Sequence, residues 1–308
     1  METQITSGMV KELREKTGAG LMDCKAALTA SGGDMEAAID HLRKKGLAAA
    51  AKKSSRIASE GVVCAHVEGT SGTLVEVNCE TDFVARTDDF GALAKGIAAL
   101  VNFKAPRDVD EALTLPLDGG NLGEKLVGAV AKTGEKISFR RFARLETPAG
   151  TPGIIVPYIH AGGKIGVLVA VSGVDRSNDA VAALAKDLAM QVAAANPSYV
   201  GRNEVPAQVI EREKTIYREQ AKASGKPDKI LDKIADGKLE KYFGDFCLVE
   251  QAFIKDPDRK VSQLLADAGK AAGVPIAVRA FARFQVGEGM EKRSDDLAAE
   301  VAKQLGQG

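Results

Sequence analysis

Two segments far apart in the chain, ISFRRFARL at 137–145 and IAVRAFARF at 276–284, share the pattern I-x-[FV]-R-x-F-A-R-[LF]. Each closes a run of elements in the same order. In the first run, residues 62–67 and 73–78 read as strands around Glu68-Gly69-Thr70-Ser71-Gly72, a hairpin signal. A helix follows with Phe90, Leu93, Ala94, Ile97, Leu100 and Val101 on one face, and a second is predicted over about 122–132. In the second run, residues 154–160 and 165–171 flank Ala161-Gly162-Gly163-Lys164. A helix capped near Asn178 or Asp179 then carries Val181, Leu184, Leu188 and Val192 on one face. A hairpin–helix–strand order used twice reads as an internal repeat. Each copy is expected to be a β-sheet with helices packed on one side, so the fold class is α+β, a duplicated core.

What surrounds the repeat is helical. Met9, Val10 and Leu13 form a stripe ending at Gly18, and a short helix is predicted over about 21–30. Asp34 caps a third helix in which Met35, Ile39 and Leu42 share a face. Arg43, Lys44 and Lys45 make its last turn before Gly46, suiting the negative end of the helix dipole, and 48–55 reads as a helical or flexible linker. From Pro206 the second copy is interrupted by two charged helices with a narrow apolar seam, joined through Ser224-Gly225-Lys226-Pro227. They are expected to form a protruding antiparallel hairpin. After Gly287-Glu288-Gly289, a helix with Leu297, Val301 and Leu305 on one stripe must dock on this protein or on a partner. The expected organisation is a three-helix module at 1–53 and a first core repeat at 54–145. A second repeat spans 146–205 and 242–286, with the inserted helical hairpin at 206–241 and a C-terminal docking helix at 287–308.

Charge narrows the choice of partner. Lys plus Arg and Asp plus Glu are both 42, so the formal net charge is zero, where a nucleic-acid binder usually carries a basic excess. Aromatic residues make up 5% and Trp is absent, leaving little for base stacking. A protein partner fits better, and no direct nucleic-acid contact is expected. Cys24, Cys64, Cys79 and Cys247 form no C-x-x-C pair, and His41, His66 and His160 are equally dispersed. No metal site is expected, and the thiols read as reduced and mostly buried. No run of about 18 apolar residues occurs, so no membrane span is expected. The opening METQITSGMVKELREKTG is charged early and has no apolar stretch, so no secretory leader is expected and a cytoplasmic protein is.

No constellation for covalent chemistry stands out. Ala161-Gly162-Gly163-Lys164-Ile165 lacks the first glycine of a phosphate loop and the Ser or Thr after Lys, and reads as a hairpin turn. Gly287-Glu288-Gly289 lacks the strand-to-helix setting of a dinucleotide fingerprint. The most unusual segment is VEVNCETDFVAR at 75–86, where a strand gives way to a polar turn that nevertheless holds Phe83 and Val84. Two readings stand: Phe83 caps the core over the end of the sheet, with Asp82 a turn residue, or the segment serves function.

That segment, together with VKELREKTGAGLMDCKAAL, HAGGKIGVLVAV and RFQVGEGMEK, resembles the bacterial elongation factor Ts family. The matches reach from near the start to near the C-terminus, so the resemblance spans essentially the whole chain. It implies a ubiquitin-associated-like three-helix module, a duplicated α+β core, a helical hairpin and a C-terminal helix. It also implies a guanine-nucleotide exchange factor for elongation factor Tu in translation elongation. Such a factor binds the GDP-bound GTPase, expels GDP and holds the nucleotide-free form, with no cofactor and no covalent step. By the resemblance, Thr81, Asp82, Phe83 and Val84 form the intruding segment. Phe83 would wedge between helices of the GTPase domain, and Asp82 would disturb the partner's magnesium region. Weaker contacts are implied for Arg14, Met22, Cys24, Lys25 and Lys53, for His160 in the second hairpin, and for Ile254. Met22 and Cys24 read equally well as module core, and His160 as a turn histidine. A protein-interaction adaptor without exchange activity, or an enzyme using a cleft around His160, are the rival readings. Self-association through the hairpin or exposed sheets stays open.

Overall fold

In the computed structural model the described residues are 5–291 apart from 149 and 176. Helices α1 (Ser7–Thr17), α2 (Leu21–Ala30) and α3 (Met35–Lys53) come first. The hairpin β1 (Glu60–Glu68) and β2 (Ser71–Cys79) leads into α4 (Asp82–Ala85), α5 (Asp88–Lys104) and α6 (Val109–Leu113). A ribbon of β3 (Pro116–Leu117) and β4 (Gly120–Asn121) precedes α7 (Leu122–Thr133) and β5 (Ser138–Glu146). A second hairpin, β6 (Gly153–His160) and β7 (Ile165–Ser172), is followed by α8 (Asp179–Ala195) and the helical pair α9 (Ala207–Ala223) and α10 (Leu231–Phe246). The ribbon β8 (Ala252–Phe253) and β9 (Asp256–Lys260), α11 (Val261–Ala272) and β10 (Ala277–Gln285) complete the described chain. The stripe Leu297, Val301 and Leu305 lies outside the described residues.

Two three-stranded antiparallel sheets form, in the orders β1-β2-β5 and β6-β7-β10. Their central strands are buried on both faces; β7 accordingly reads as a near-continuous apolar run, whereas β2 also buries the polar Thr73, Glu76 and Asn78. On β2, Val75, Val77 and Cys79 meet α5 and α7, while Leu74 points the other way. On β7, Val167, Val169 and Val171 face α8 and α11, while Leu168 and Ala170 point away. Those second faces meet each other. Val63, Leu74, Ile155, Leu168 and Ala170 form an inter-sheet core. The layers therefore run helices, sheet, sheet, helices.

The repeated nine-residue pattern now has a physical reading. The β2–β5 register shifts between Glu76 and Val77, and the β7–β10 register shifts between Val278 and Ala280. A bulge of one residue moves the following side chains to the opposite face. Phe139 and Phe142, three apart, thus both pack on the helix side, as do Val278 and Phe281. Leu145 and Phe284 close the inter-sheet core. The second arginine of the pattern reaches a helix end in each copy: Arg144 Nε donates to Asn102 O at 3.2 Å, and Arg283 Nε donates to Ala193 O at 3.4 Å. A cation there satisfies the free carbonyls of a helix C-terminus.

The sheets approach closely because glycine stands at matched places. A Cβ on Gly166 would lie 2.3 Å from Val63 Cγ1, and one on Gly72 would lie 2.7 Å from Ile155 Cγ2. Gly166→Val is expected to lower the main thermal transition through overpacking of about 3 kcal/mol. Gly91→Ala, on α5 with open space around it, is the control and should be neutral or mildly stabilising. Equal melting of Gly166→Val and wild type would show that the sheets are not in contact there.

Two sequence expectations change. Helix α3 does not stop before Gly46 but continues to Lys53, so the expected linker is largely helix. Gly46 is buried where α3 crosses α7, with Val127 Cγ1 and Ala131 Cβ 3.3 and 3.6 Å from where a Cβ would stand. Helix α10 runs past 241 to Phe246, because Phe243 and Cys247 seal the hairpin base against Val205 and Leu239. Gly287, Glu288 and Gly289 do form the expected turn, and it is fastened to the first sheet. Gly287 N donates to Glu76 Oε1 at 2.8 Å, and Arg140 donates to Glu288 O at 2.5 Å, tying both to the first sheet.

Candidate functional site

Strand β2 ends at Cys79, and the chain turns directly into the four-residue helix α4. Thr81 caps it, its hydroxyl accepting from Val84 N at 3.4 Å. Ala85 is buried and Val84 half-buried against the core beneath α5 and α7. This leaves Phe83 on the outer side, 80% exposed. The reading of Phe83 as a core cap is thereby overturned: Val84 and Ala85 fill that place instead. Asp82 pairs with Arg86 at 2.7 Å along the same short helix. Burial, with the Glu135 carboxylate adding to it, pushes the Cys79 thiol up to about 12, so this neighbour stays protonated.

The tip of the second hairpin lies beside this helix. Ala85 and Arg86 share one shallow depression with Val62, Gly91, Lys95, Ile159, Gly162 and Gly163. His160 is exposed at that tip, its Nδ1 3.0 Å from the Tyr158 hydroxyl and its ring stacked on Tyr158. The exposed Ile159 lines this region together with residues of the first hairpin and of α5, and the exposed Phe83 stands on the same short helix as Ala85.

The remaining residues are spread over other elements. Met22 is 72% exposed on α2, and Arg14 and Lys25 are exposed on the same three-helix module. Cys24 is fully buried, with its thiol 3.7 Å from Ala19 O, among Val10, Leu13, Ala27, Leu28 and Ala38. It belongs to the module core and cannot touch a partner directly; the alternation around it puts Met22 out and Cys24 in. Lys53 is half-buried in the cleft between α3 and α7. Ile254 is exposed on the β8–β9 ribbon, its backbone N–H donating to Gln191 Oε1 at 2.7 Å.

Sequence reasoning missed the residue that holds α4 in place. Glu135 lies between α7 and β5, and its carboxylate accepts from Glu80 N, Thr81 N and the Thr81 hydroxyl. No local pattern marks it, since its partners lie more than fifty residues earlier. Among the described residues no group of three or more His, Cys, Asp or Glu side chains could hold a metal ion, and no helix is long and apolar enough to cross a membrane. What the arrangement offers is an exposed aromatic on a braced turn, a surface for another macromolecule.

Comparison with known proteins agrees over the same stretch. A family model described as Elongation factor TS matches residues 80–288. A protein named Elongation factor Ts from Magnetococcus marinus is 50% identical over 301 residues, 97% of this chain and 98% of its own. Its namesake from Syntrophotalea carbinolica is 48% identical over 301 residues, with the same coverage. One from Clostridium botulinum is 46% identical over 305 residues, 98% of this chain and 99% of its own.

Proposed function

This chain belongs to the elongation factor Ts family, and we propose that it expels GDP from elongation factor Tu by pressing Thr81, Asp82, Phe83 and Val84 against that GTPase. It is a nucleotide exchange factor of translation elongation, working through binding and not through covalent chemistry. The observation that carries the mechanism is Phe83. Its fold makes no use of the ring, yet anchors the turn that displays it. A large apolar side chain held out in water on a braced turn is what an interface hot spot looks like before its partner arrives.

In this reading Phe83 enters between helices of the partner, and Asp82 acts on the region that organises the partner's magnesium. His160 and Ile159 extend the contact from the second hairpin, and Arg14, Met22 and Lys25 engage the same GTPase from the three-helix module. Lys53 and Ile254 are further contacts. Bound GDP and bound exchange factor weaken each other by the same factor, because coupling free energy is shared between sites. The factor therefore binds the GDP form weakly and the nucleotide-free form tightly. Three finer readings belong with this one: the first 53 residues as a ubiquitin-associated-like module, the two sheet-and-helix units as copies of one ancestor, and a cytoplasmic setting. The matched bulges and matched arginines of β5 and β10 support the duplication.

Release of fluorescent GDP from elongation factor Tu tests the function. The expected result is acceleration that rises with the concentration of this protein and saturates. Binding without acceleration would leave an adaptor and end the exchange reading.

A further inference from the structure

We propose that Glu135 is a positioning residue for exchange, one that fixes the angle at which Phe83 meets the partner; the inference rests on the reading of residues 81–84 as the contact segment. Helix α4 has only four residues, and a single helical turn does not hold itself in water. Its own backbone bonds are few, with Ala85 N to Thr81 O at 3.3 Å and Arg86 N to Asp82 O at 3.1 Å. Burial of Val84 and Ala85 fixes its far end. The near end is held by Glu135. One carboxylate oxygen accepts from Glu80 N and Thr81 N, both at 3.0 Å, and the other accepts from the Thr81 hydroxyl at 2.5 Å. Bonds to an ionised acceptor are the strong class, and three of them converge on two residues.

The anchor is itself braced. Glu135 N donates to Thr133 Oγ1 at 3.3 Å, just after α7 ends at the left-handed Gly134. The next residue answers in the reverse direction, Lys136 N donating to Glu80 Oε1 at 2.6 Å. Lys136 Nζ then reaches Ser54 O and Arg56 O, and Arg56 pairs with Glu80 at 3.2 Å. Residues 80–81 and 135–136 are thus latched by two crossed carboxylates, and the end of α3 is fastened to the same latch. A side chain presented in its bound direction loses less freedom on binding, so the latch raises exchange without touching the partner.

A double-mutant cycle on the full chain tests this, with stopped-flow release of fluorescent GDP from elongation factor Tu as the readout. Glu135→Ala is expected to slow release about tenfold at subsaturating factor, and Glu135→Gln, which keeps one acceptor oxygen, by about threefold. On a Phe83→Ala background, Glu135→Ala should add less than about twofold, because it acts through Phe83. A merely structural glutamate would add its full penalty there, and that result would overturn the proposal. Normal release by Glu135→Ala, with Phe83→Ala impaired, would also overturn it while leaving the contact reading intact. Normal release by Phe83→Ala would remove the contact reading and this inference together. Rates are compared below the melting transition of every variant, and if Glu135→Ala does not fold, the Glu135→Gln pair carries the same cycle.

Discussion

Phe83→Ala is expected to slow GDP release from elongation factor Tu by about thirty- to a hundredfold and to leave this protein's own melting temperature unchanged. The second half of that statement follows from exposure. A ring that is 80% exposed contributes little to the folded state, and Val84 and Ala85 keep the turn seated without it. The first half follows from burial in the partner. Taking a phenylalanine side chain out of water contributes roughly 2–3 kcal/mol. Each 1.4 kcal/mol is tenfold, which gives the range stated. The effect stops short of abolition, because Ile159, His160 and the three-helix module still engage the partner in this reading. Binding to nucleotide-free elongation factor Tu should accordingly persist at reduced affinity. Melting and stopped-flow release measured on one preparation decide the matter. A lowered melting temperature with normal release per folded molecule would end the wedge mechanism.

What the sequence could disclose, and what it could not, divides along physical lines. Elements with a local signature were legible: Asp34 caps α3, Gly18 ends α1 in the left-handed conformation, and both hairpins lie where the turn residues put them. Helix α11 escaped notice because its buried stripe is short, with only Val261 and Leu265 fully inside, and it starts directly from the ribbon strand. Gly46 misled because a glycine after three basic residues looks like a helix end, whereas here it admits a crossing helix. Phe83 could not be decided from pattern alone, since a lone aromatic at a strand end serves a core or a partner equally well. Cys24 shows the same limit on a helix, where one step around the axis separates core from surface. Glu135 and Glu76 were beyond reach for a different reason. Apart from the bond of Asn78 to Glu76, their roles are made of contacts between residues 54 to 211 positions apart, and nothing in the spacing of a single chain announces such pairs.

Glu76→Ala is expected to be the most destabilising single change outside the apolar core, lowering the main thermal transition by roughly 5–10 °C. The side chain is fully buried on β2 and accepts four hydrogen bonds. Arg140 and Asn78 lie 3.0 and 3.1 Å away, Arg141 2.6 Å, and the Gly287 N–H 2.8 Å. The last of these crosses from the first sheet to the chain leaving β10, and Arg141 extends the crossing to Gln285 O and Glu288 at 3.2 Å. Gly287 must be glycine for this, because its φ is +70° and a Cβ would stand 2.4 Å from Ser59 O. Removing the carboxylate leaves the buried Gly287 N–H without its acceptor and takes from Arg140 and Arg141 their buried partner, a loss of about 3 kcal/mol. Acid should produce the same loss gradually. Burial alone would push the Glu76 carboxyl up, but the bonds from Gly287, Arg141, Asn78 and Arg140 outweigh it and hold the carboxyl below the ordinary range. A folded value below the unfolded one means that the contribution is complete above the ordinary carboxylate range. It is lost as pH falls through the lower, folded value. The stability gap between wild type and Glu76→Ala should therefore be constant near neutrality and close under acid. Denaturant titrations of both proteins across that range measure the gap. If it stayed open in acid, the contribution of Glu76 would have to come from its packing, because a protonated side chain could no longer hold the two arginines of the neighbouring strand as an ion pair.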